Sequence, residues 1–381
     1  MNNTSYRPRN PGHDYYGRGI YLVTLVISGR EPLFGALGND AVHPEVRLSP
    51  LGETVRQIWN QTPEKQAAHG NRVVVHACVC MPDHFHGVIQ VLEPMQWSLG
   101  DIIQAFKAAC TSRWQQQRLP NSTNRPISVD CSNPGAPAWL REKAKAFTNE
   151  GALIRNLSPR QRKEYYTWTG RQYRPLFDDK YDDTVCLDDR HREAMIAYVH
   201  DNPRRAILRR LLPDMMQRCL RVLIGDRTYG IFGNLFLLRW ANKVQVQCHR
   251  RHPISGQPYE QTIDYARQHE QWVAAVMAGA TVIVTPGISR GELMMKNECM
   301  ENGYPLIHLQ KEPIGPYWKP ERRRFDACAQ GRMLILAPWE LDTMGPVNGA
   351  PSDSNYSRFH NLNSIAADIC SFIGDAKIIK R

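Results

Sequence analysis

Apolar and polar positions along the first part of the chain predict strands separated by helices. Runs rich in β-branched and aromatic residues predict three strands, at residues 20–27, 73–80 and 84–92. Apolar residues at every third or fourth position predict a helix at residues 51–60 and another that starts at Leu99. The order strand, helix, strand, strand, helix predicts a ferredoxin-like antiparallel sheet, in the α+β fold class.

Between about residues 116 and 165 this regular pattern is interrupted. Turn-forming residues cluster here and basic residues accompany them, so we interpret the segment as an insertion or a long loop. Regular structure resumes at residues 173–185, which predict the last strand of the sheet. A helix is then predicted from near Asp188 to Asp201, with Pro203 ending it.

The pattern changes after about residue 215, where strands and helices alternate. Strands are predicted at residues 243–248, 281–284, 305–309 and 333–336, and helices at residues 259–277 and 290–302. This alternation is typical of a parallel sheet covered by helices, so we predict a small α/β domain of Rossmann-like type. The length of 381 residues also favours two domains, which we place at residues 1–214 and 215–381.

Composition adds expectations about partners and location. The chain has 48 Lys and Arg against 37 Asp and Glu, a net charge of +11, which favours a polyanionic partner; a merely soluble basic protein explains the charge equally well. Its 10 cysteines show no repeated CxxC spacing, so reduced thiols in a cytoplasmic protein are the simplest explanation. No apolar run approaches the length of a membrane span, so no membrane association is expected.

The candidate chemistry begins with two histidines one residue apart on a predicted strand. Successive side chains of a strand point to opposite faces, so His84 and His86 are expected to project together while Phe85 turns into the core. Two neutral imidazoles side by side suit a divalent metal ion. Standing alone, such a pair is better explained by ordinary packing or by a solvated face.

A second cluster lies in the helix predicted to end at Pro203. Tyr198 and Asn202 are four residues apart and therefore share one helix face. A tyrosine and a carboxamide near a histidine pair suit a metal-assisted attack on phosphorus, with the tyrosine oxygen as the nucleophile. Taken by itself, Tyr198 is better explained as a helix tyrosine that packs on the sheet.

Together these features resemble the HUH single-strand transposases that use one catalytic tyrosine, especially the REP-associated type. Met81-Pro82-Asp83-His84-Phe85-His86 resembles the family signature MPNHxH, and Tyr198-Val199-His200-Asp201-Asn202-Pro203 resembles the family's Y-I-x-x-N-P ending. Three further segments are similar, in order, to the family's first strand, to the helix after the histidines and to its W-q-r-x-y-y-D-h strand: residues 21–24, 99–107 and 176–183.

The resemblance implies an activity and roles for particular residues. It implies that His84 and His86 bind Mg²⁺ or Mn²⁺, that Asn202 is a third ligand and that Tyr198 attacks DNA. The attack would leave a 5′-phosphotyrosine and release a 3′-hydroxyl, so that the strand can be rejoined without ATP. The implied function is cleavage and rejoining of single-stranded, hairpin-forming DNA in DNA transposition, by a protein that acts as a homodimer.

Three departures from the family pattern bear on substrate recognition more than on chemistry. Asp83 stands where the family has Asn, Phe177 lies in the region where Trp is usual, and the insertion at residues 116–165 is longer than expected. A domesticated hairpin-DNA-binding protein and a nickase-ligase without transposition remain alternatives. A histidine-triad hydrolase is disfavoured, because Val88 stands where its third histidine would be.

Candidate DNA contacts fall into three sets. The first directly follows the tyrosine segment and would suit DNA phosphates, a solvated helix face being the alternative: Arg204, Arg205, Arg209 and Arg210. The second lies on the polar face of the helix that starts at Leu99, which is expected near the histidine strand: Lys107 and Arg113. The third, interleaved with basic residues, could stack unpaired bases or equally belong to the core: Tyr165, Tyr166, Trp168 and Tyr173.

The second predicted domain offers one weaker feature. Thr285-Pro286-Gly287 follows a predicted strand and precedes a predicted helix, a position where anions can bind. The segment from Thr285 to Glu292 is faintly similar to the Rossmann-like domains of DNA-processing-A proteins. Because no complete GxGxxG motif is present, a nucleotide pocket and a purely architectural role both remain open.

Overall fold

The computed structural model describes most of the chain as a mixture of helices and strands, in agreement with the predicted α+β class. The described residues are 12–118, 136–147, 153–154, 156–169, 175–279, 281–316, 318–339, 341 and 344–379. The chain divides into two compact units, Met1–Ile207 and Leu208–Arg381. No helix among the described residues is long and apolar enough to cross a membrane.

The first unit contains six strands and the helices that connect them among its described residues. The strands are β1 (Gly19–Val26), β2 (Gly35–Leu37), β3 (Val46–Leu48), β4 (Val73–Met81), β5 (His84–Val91) and β6 (Asp182–Val185). The helices are α1 (Pro50–Asn60), α2 (Thr62–Ala67), α3 (Leu99–Arg118), α4 (Ala138–Ala144), α5 (Pro159–Trp168) and α6 (Asp189–Leu211), whose last residues lie beyond the unit's boundary.

Four strands form one antiparallel sheet in the order β4-β5-β1-β6. One face carries the main core, in which Tyr21 and Phe85 from the strands pack with Trp59 of α1 and Phe106 of α3. The other face carries a smaller apolar cluster, in which Val88 of β5 packs with residues of α6. The two faces of this sheet are therefore covered by different helices.

Local sequence features explain where α3 starts and why the ring of Trp59 can lie close to the backbone of β5. The Ser98 amide donates to Asp101 Oδ2 at 2.9 Å and the Asp101 amide donates to Ser98 Oγ at 3.3 Å, a reciprocal capping box that begins the helix. Gly87 faces the main core, where a Cβ atom would overlap the ring of Trp59. A glycine at this position lets the indole of α1 lie directly against the strand.

Two predictions at the end of this unit were wrong. The predicted strand at residues 173–185 is limited to Asp182–Val185; Phe177 forms a single bridge to Ile27, and residues 171–174 lie outside the described part of the chain. Pro203 does not end its helix, since α6 continues to Leu211. Proline removes one backbone hydrogen bond, but the buried Val199 and Ile207 on either side of it keep the helix packed.

The segment predicted as an insertion or a long loop is partly helical. Its described residues include α4, α5 and a separate apolar cluster, made of Leu140, Leu153, Ile154, Leu157 and Tyr165. Residues 119–135, 148–152 and 155 lie outside the described residues. The polar and turn-forming composition concealed this cluster, because its apolar members are widely spaced along the sequence.

The second unit contains a larger sheet. Its strands are β7 (Gln217–Ile224), β8 (Arg227–Gly233), β9 (Asn242–Gln245), β10 (Thr281–Thr285), β11 (Leu306–Leu309), β12 (Met333–Pro338) and β13 (Lys377–Ile378). Its helices are α7 (Ile263–Met277), α8 (Arg290–Asn302), α9 (Arg322–Ala329) and α10 (Asn355–Ser371).

The strand order of the second sheet is β13-β7-β8-β12-β11-β10-β9. The strands from β12 to β9 are parallel, as the alternating pattern predicts, whereas β8, β7 and β13 join in antiparallel pairing. The helices α7, α8 and α9 contribute to the core on one face, and α10 contributes to the core on the other. The β7–β8 hairpin was not predicted, because arginines interrupt the apolar pattern of β7.

Candidate active site

The two histidines of β5 lie on the same face of the first sheet. Their ring centroids are 4.8 Å apart, and the rings are nearly perpendicular, at 84°. Phe85 between them is fully buried in the main core on the opposite face. His86 is also buried, with 3% of its surface exposed, whereas His84 is partly accessible.

A neighbouring side chain bonds the Nδ1 atom of each histidine. Asp83 Oδ1 lies 2.6 Å from Nδ1 of His84, and since a carboxylate only accepts, this Nδ1 carries the proton. Thr24 on β1 pairs with His86, and its hydroxyl lies 2.8 Å from Nδ1 of His86. These contacts orient both rings and leave the Nε2 atoms as the nitrogens suited to a metal ion.

Asp83 is further held by Arg30, whose guanidinium donates to Asp83 Oδ2 at 3.0 Å. Burial raises the pKa of Asp83, but the hydrogen bonds and charges of His84 and Arg30 outweigh that effect and lower it to about 2. The carboxylate therefore stays ionised beside His84 near neutral pH. Sequence reasoning noticed Asp83 only as a departure from the family pattern and missed Thr24, whose role depends on strand register.

Tyr198 lies on α6, over the face of the sheet that carries the histidines. The ring centroids of Tyr198 and His86 are 5.7 Å apart, with an interplanar angle of 71°. The position of α6 is fixed by Met195 and Val199, which pack against Ala77 and Val88 of the sheet. The structure thus brings the predicted nucleophile and the predicted metal ligands together within one chain.

Asn202 lies one helical turn after Tyr198 and is 5% exposed. Its Nδ2 donates to the backbone carbonyl of Tyr198 at 3.2 Å, so the amide nitrogen is used within the helix and the amide oxygen is its remaining acceptor. The described residues hold no cluster of three or more His, Cys, Asp and Glu side chains that could bind a metal. A metal at this site would therefore rely on the two imidazoles, an amide oxygen and oxygen atoms of a substrate.

The four arginines after the tyrosine segment differ in their surroundings. Arg205 is buried, and its guanidinium lies 5.6 Å from the centre of the Tyr198 ring. Arg204 forms two hydrogen bonds with Asp201, at 2.6 and 3.2 Å. The guanidinium of Arg209 lies 5.3 Å from the centre of the Phe325 ring, while Arg210 is exposed. These contacts make Arg205 a neighbour of Tyr198 and leave Arg210 the most accessible of the four.

Lys107 and Arg113 do not lie near the histidines, contrary to expectation. Their helix α3 packs on the core face of the sheet, opposite the face that carries His84 and His86. Lys107 is buried and donates from Nζ to the carbonyl oxygens of Asp178 and Asp179, each at 2.7 Å. Burial lowers the pKa of Lys107, against the opposing charges of those two aspartates. Lys107 therefore stabilises the backbone segment that leads into β6. Arg113 lies on the same helix and is exposed.

The described residues of the third set, the aromatic one, mostly pack in or against the small apolar cluster. Tyr165 is fully buried in the small apolar cluster, and Trp168 packs against that cluster. Tyr166 is partly buried, with its ring 6.0 Å from that of Tyr165. Base stacking on Tyr165 is therefore excluded in this arrangement, and Tyr173 lies outside the described residues.

No protein-family model matches the chain. A Haemophilus influenzae protein, known only as an uncharacterized protein, is 28% identical over 135 residues, which are 35% of this chain and 67% of that protein. A solved REP-associated tyrosine transposase bound to a REP hairpin aligns with 51% of this chain and 73% of its own, at 12% identity and a TM-score of 0.24. A candidate transposase of Deinococcus radiodurans aligns with 51% of this chain and 97% of its own, at 12% identity and a TM-score of 0.23. Scores this low do not establish a shared fold.

Proposed function

We propose that the chain is a metal-dependent DNA strand transferase of the HUH single-tyrosine type, which cleaves and rejoins single-stranded, hairpin-forming DNA in transposition. The observation that carries this proposal is the approach of Tyr198 to the histidine pair, with the Tyr198 and His86 rings 5.7 Å apart. Packing explains each motif separately. It does not account for a tyrosine set beside two imidazoles that are both oriented through Nδ1.

In the proposed reaction the Tyr198 oxygen attacks a phosphodiester phosphorus. A bond forms between that oxygen and phosphorus, the bond from phosphorus to the 3′ oxygen breaks, the phenolic proton passes to water, and the 3′ oxygen takes up a proton. One phosphate ester replaces another, so attack by a 3′-hydroxyl in the reverse direction rejoins the strand without ATP. The guanidinium of Arg205, 5.6 Å from the Tyr198 ring centre, would offset negative charge at the attacking group.

The proposed cofactor is Mg²⁺ or Mn²⁺, held by His84 and His86 with Asn202 as a third ligand. When bound, it would neutralise charge on the phosphate oxygens. Asp83 and Thr24 would keep the two rings oriented toward it, as partners of metal-binding histidines do. Since imidazole is a softer ligand than Mg²⁺ prefers, Mn²⁺ is expected to bind more tightly.

The test is covalent capture of DNA by the full chain. A panel of single-stranded hairpins is incubated with the protein and Mn²⁺, and the adduct is resolved on a denaturing gel and mapped by mass spectrometry. Tyr198→Phe should abolish the adduct with hairpin affinity nearly unchanged, and His84→Ala should abolish the Mn²⁺-dependent formation of the adduct. Tyr16→Phe, at a tyrosine exposed in the same unit, is the matched control and should react like the wild type.

An adduct that forms at the wild-type level in Tyr198→Phe contradicts the assignment. Hairpin binding by the wild type without any adduct would instead favour the domesticated DNA-binding protein. A reaction that nicks and reseals hairpins but never joins two different strands would favour the nickase-ligase.

Tyr198 and His86 approach each other within one chain, which supports an active site assembled in cis even if the protein is a homodimer, as proposed from the family resemblance. Mixing Tyr198→Phe with His84→Ala distinguishes the two arrangements. In cis, the mixture should stay inactive, because neither chain has a complete site. Recovery of adduct formation in the mixture would show that the tyrosine acts on the partner's histidines.

We propose a ferredoxin-like arrangement for the first unit, with the boundary near residue 214 expected from the sequence. The order β4-β5-β1-β6 supports it, since the hairpin β4–β5 lies beside β1 and the last strand β6 lies on the other side of β1. For the second unit, the parallel strands from β9 to β12 support a Rossmann-like arrangement. A cytoplasmic location, expected from the cysteine content, stays a prediction.

A further inference from the structure

A cavity of about 790 Å³ lies in the second unit, outside the carboxyl ends of two parallel strands. Its walls are the segment after β9, residues 288–292 at the start of α8, Tyr259, Gln268 and the first three turns of α10. Open α/β sheets bind ligands at this edge, and small-molecule sites enclose roughly 300 to 1,000 Å³. The cavity therefore has the position and the size of a ligand site, and the proposed transferase chemistry does not use it.

The lining of this cavity combines aromatic rings with amide side chains. Tyr259, Tyr356 and Phe359 provide flat surfaces, and Gln268 and Asn363 provide hydrogen-bonding groups. The Gln268 Oε1 and Asn363 Oδ1 atoms are buried and have no hydrogen-bond partner among the described residues. A buried acceptor without a partner costs free energy, so a hydrogen-bond donor that a ligand brought within reach of either oxygen would lower that cost. Rings beside amides suit a nucleobase, which stacks and carries amino groups on its edge.

A smaller cavity of about 330 Å³ adjoins the first and shares Arg250, Ile288 and Ser289 with it. Its charged side chains are Arg250, Arg251, Arg290 and Glu260, so its lining has an excess of positive charge. Ser289 is the N-cap of α8, and the Glu292 carboxylate of its capping box already accepts from the amides of Ile288 and Ser289, so the attraction for an anion comes from the guanidinium groups. Guanidinium groups favour phosphate, and three of them line the smaller cavity at one end of the aromatic one.

We propose that the two cavities together bind a nucleoside phosphate, with the base in the larger cavity, the phosphate in the smaller one and Arg250 between them. The same chemistry is presented by a free mononucleotide and by the 5′-phosphorylated end of a DNA strand. The site is made entirely of residues of the second unit and does not depend on Tyr198 or on the histidine pair. Its ligand would be recognised through base and phosphate jointly.

Calorimetric titration of the full chain tests this site. The probes are the four deoxynucleoside monophosphates, the corresponding nucleosides, inorganic phosphate, and short oligodeoxynucleotides with a 5′-phosphate or a 5′-hydroxyl. At least one nucleotide, free or at a strand end, should bind, and it should bind about tenfold or more tightly than its nucleoside or phosphate alone. Binding of the free mononucleotides identifies a soluble ligand, and binding only of 5′-phosphorylated strands identifies a strand end.

Three variants connect the binding to the cavities. Arg250→Ala should weaken nucleotide binding about tenfold, whereas Arg322→Ala, at an exposed arginine of α9, should leave it unchanged. Asn363→Ala should weaken binding without lowering the melting temperature of the free protein, because its Oδ1 has no partner to lose. The proposal is overturned if no nucleotide or strand end binds at millimolar concentration, or if Arg250→Ala binds as tightly as the wild type.

Discussion

The two sheets of this protein place polar side chains in different positions. In the first, Thr24, His84 and His86 lie on one face of the sheet, near the turn between β4 and β5, where α6 brings Tyr198 beside His86. In the second, the strands from β10 to β12 are buried along their length, and the polar groups of the two cavities follow the strand ends. An antiparallel sheet can reserve one face for chemistry, whereas a parallel sheet with helices on both faces leaves mainly its edge.

The largest effect predicted from this comparison is the loss of stability when a buried aliphatic side chain is removed. Ile307 on β11 is fully buried in the second sheet, whereas Ile20 on β1 is only partly buried, on the histidine-bearing face of the first. Ile307→Ala should cost about 2–5 kcal/mol of local stability, and Ile20→Ala about 1 kcal/mol. Amide hydrogen exchange of the peptides that contain β11 and β1 measures both changes. Equal losses at the two positions would contradict the difference drawn between the sheets.

His308 is a polar side chain buried inside the second sheet. Its lowered pKa reflects the free-energy cost of burying a charged imidazole there. Burial, together with the charges of Lys296 and Arg324, lowers this pKa from 6.5 to about 3, although a hydrogen bond to the Thr285 carbonyl opposes the shift. Between these two values the unfolded chain binds more protons than the folded one, so stability falls as the pH falls. The loss should reach about 2 kcal/mol by pH 5.

His308→Asn should remove this part of the pH dependence, because asparagine keeps a hydrogen-bond donor and does not titrate. Urea unfolding at pH 7 and pH 5 measures the effect. His76→Asn, at an exposed histidine, is the control and should retain the wild-type difference between the two pH values. An unchanged difference in His308→Asn would mean that His308 is not kept neutral by burial.

Features that depend on local periodicity could be predicted from the sequence. The helix at residues 290–302 was confirmed with its boundaries, and the alternation of β5 places Phe85 in the core and both histidines on the other face. These features follow from the backbone geometry of one element, which the order of side chains reveals. The same reasoning put Tyr198 and Asn202 on one face of a helix.

Features that depend on contacts between elements could not be predicted. The polar side of α3 does not indicate which sheet face the helix covers, so Lys107 was expected near the histidines and instead binds two backbone carbonyls. Thr24 had no visible role until the register of β1 against β5 paired it with His86. Pro203 was expected to end α6, because proline usually ends a helix. The buried contacts that keep this helix intact around Pro203 are tertiary, and the sequence alone does not reveal them.

Asp83 tests whether side chains beside the histidines orient them for a metal ion. Asp83→Ala removes the carboxylate that bonds Nδ1 of His84 and should lower the affinity for Mn²⁺ about tenfold. Asp83→Asn should lose less, since its amide oxygen can still accept from Nδ1. Asp40→Ala breaks a similar contact, with the exposed His43, and should leave the affinity unchanged. Titration with Mn²⁺ measures all three variants, and an equal affinity in Asp83→Ala and the wild type would contradict the orienting role.

The smallest expected effect concerns the helix that is proposed to contact hairpin DNA. Arg210 lies on α6, the helix that carries Tyr198, while Arg113 lies on α3, which packs on the opposite face of the first sheet, and both are exposed. If hairpin DNA contacts α6, Arg210→Ala should lower affinity severalfold and reduce the slope of log affinity against log salt by about 1, through loss of one phosphate contact. Arg113→Ala should change neither. Hairpin affinity and its salt dependence are measured for both variants. A larger loss of affinity in Arg113→Ala than in Arg210→Ala would place the DNA against α3, the helix that the sequence had suggested.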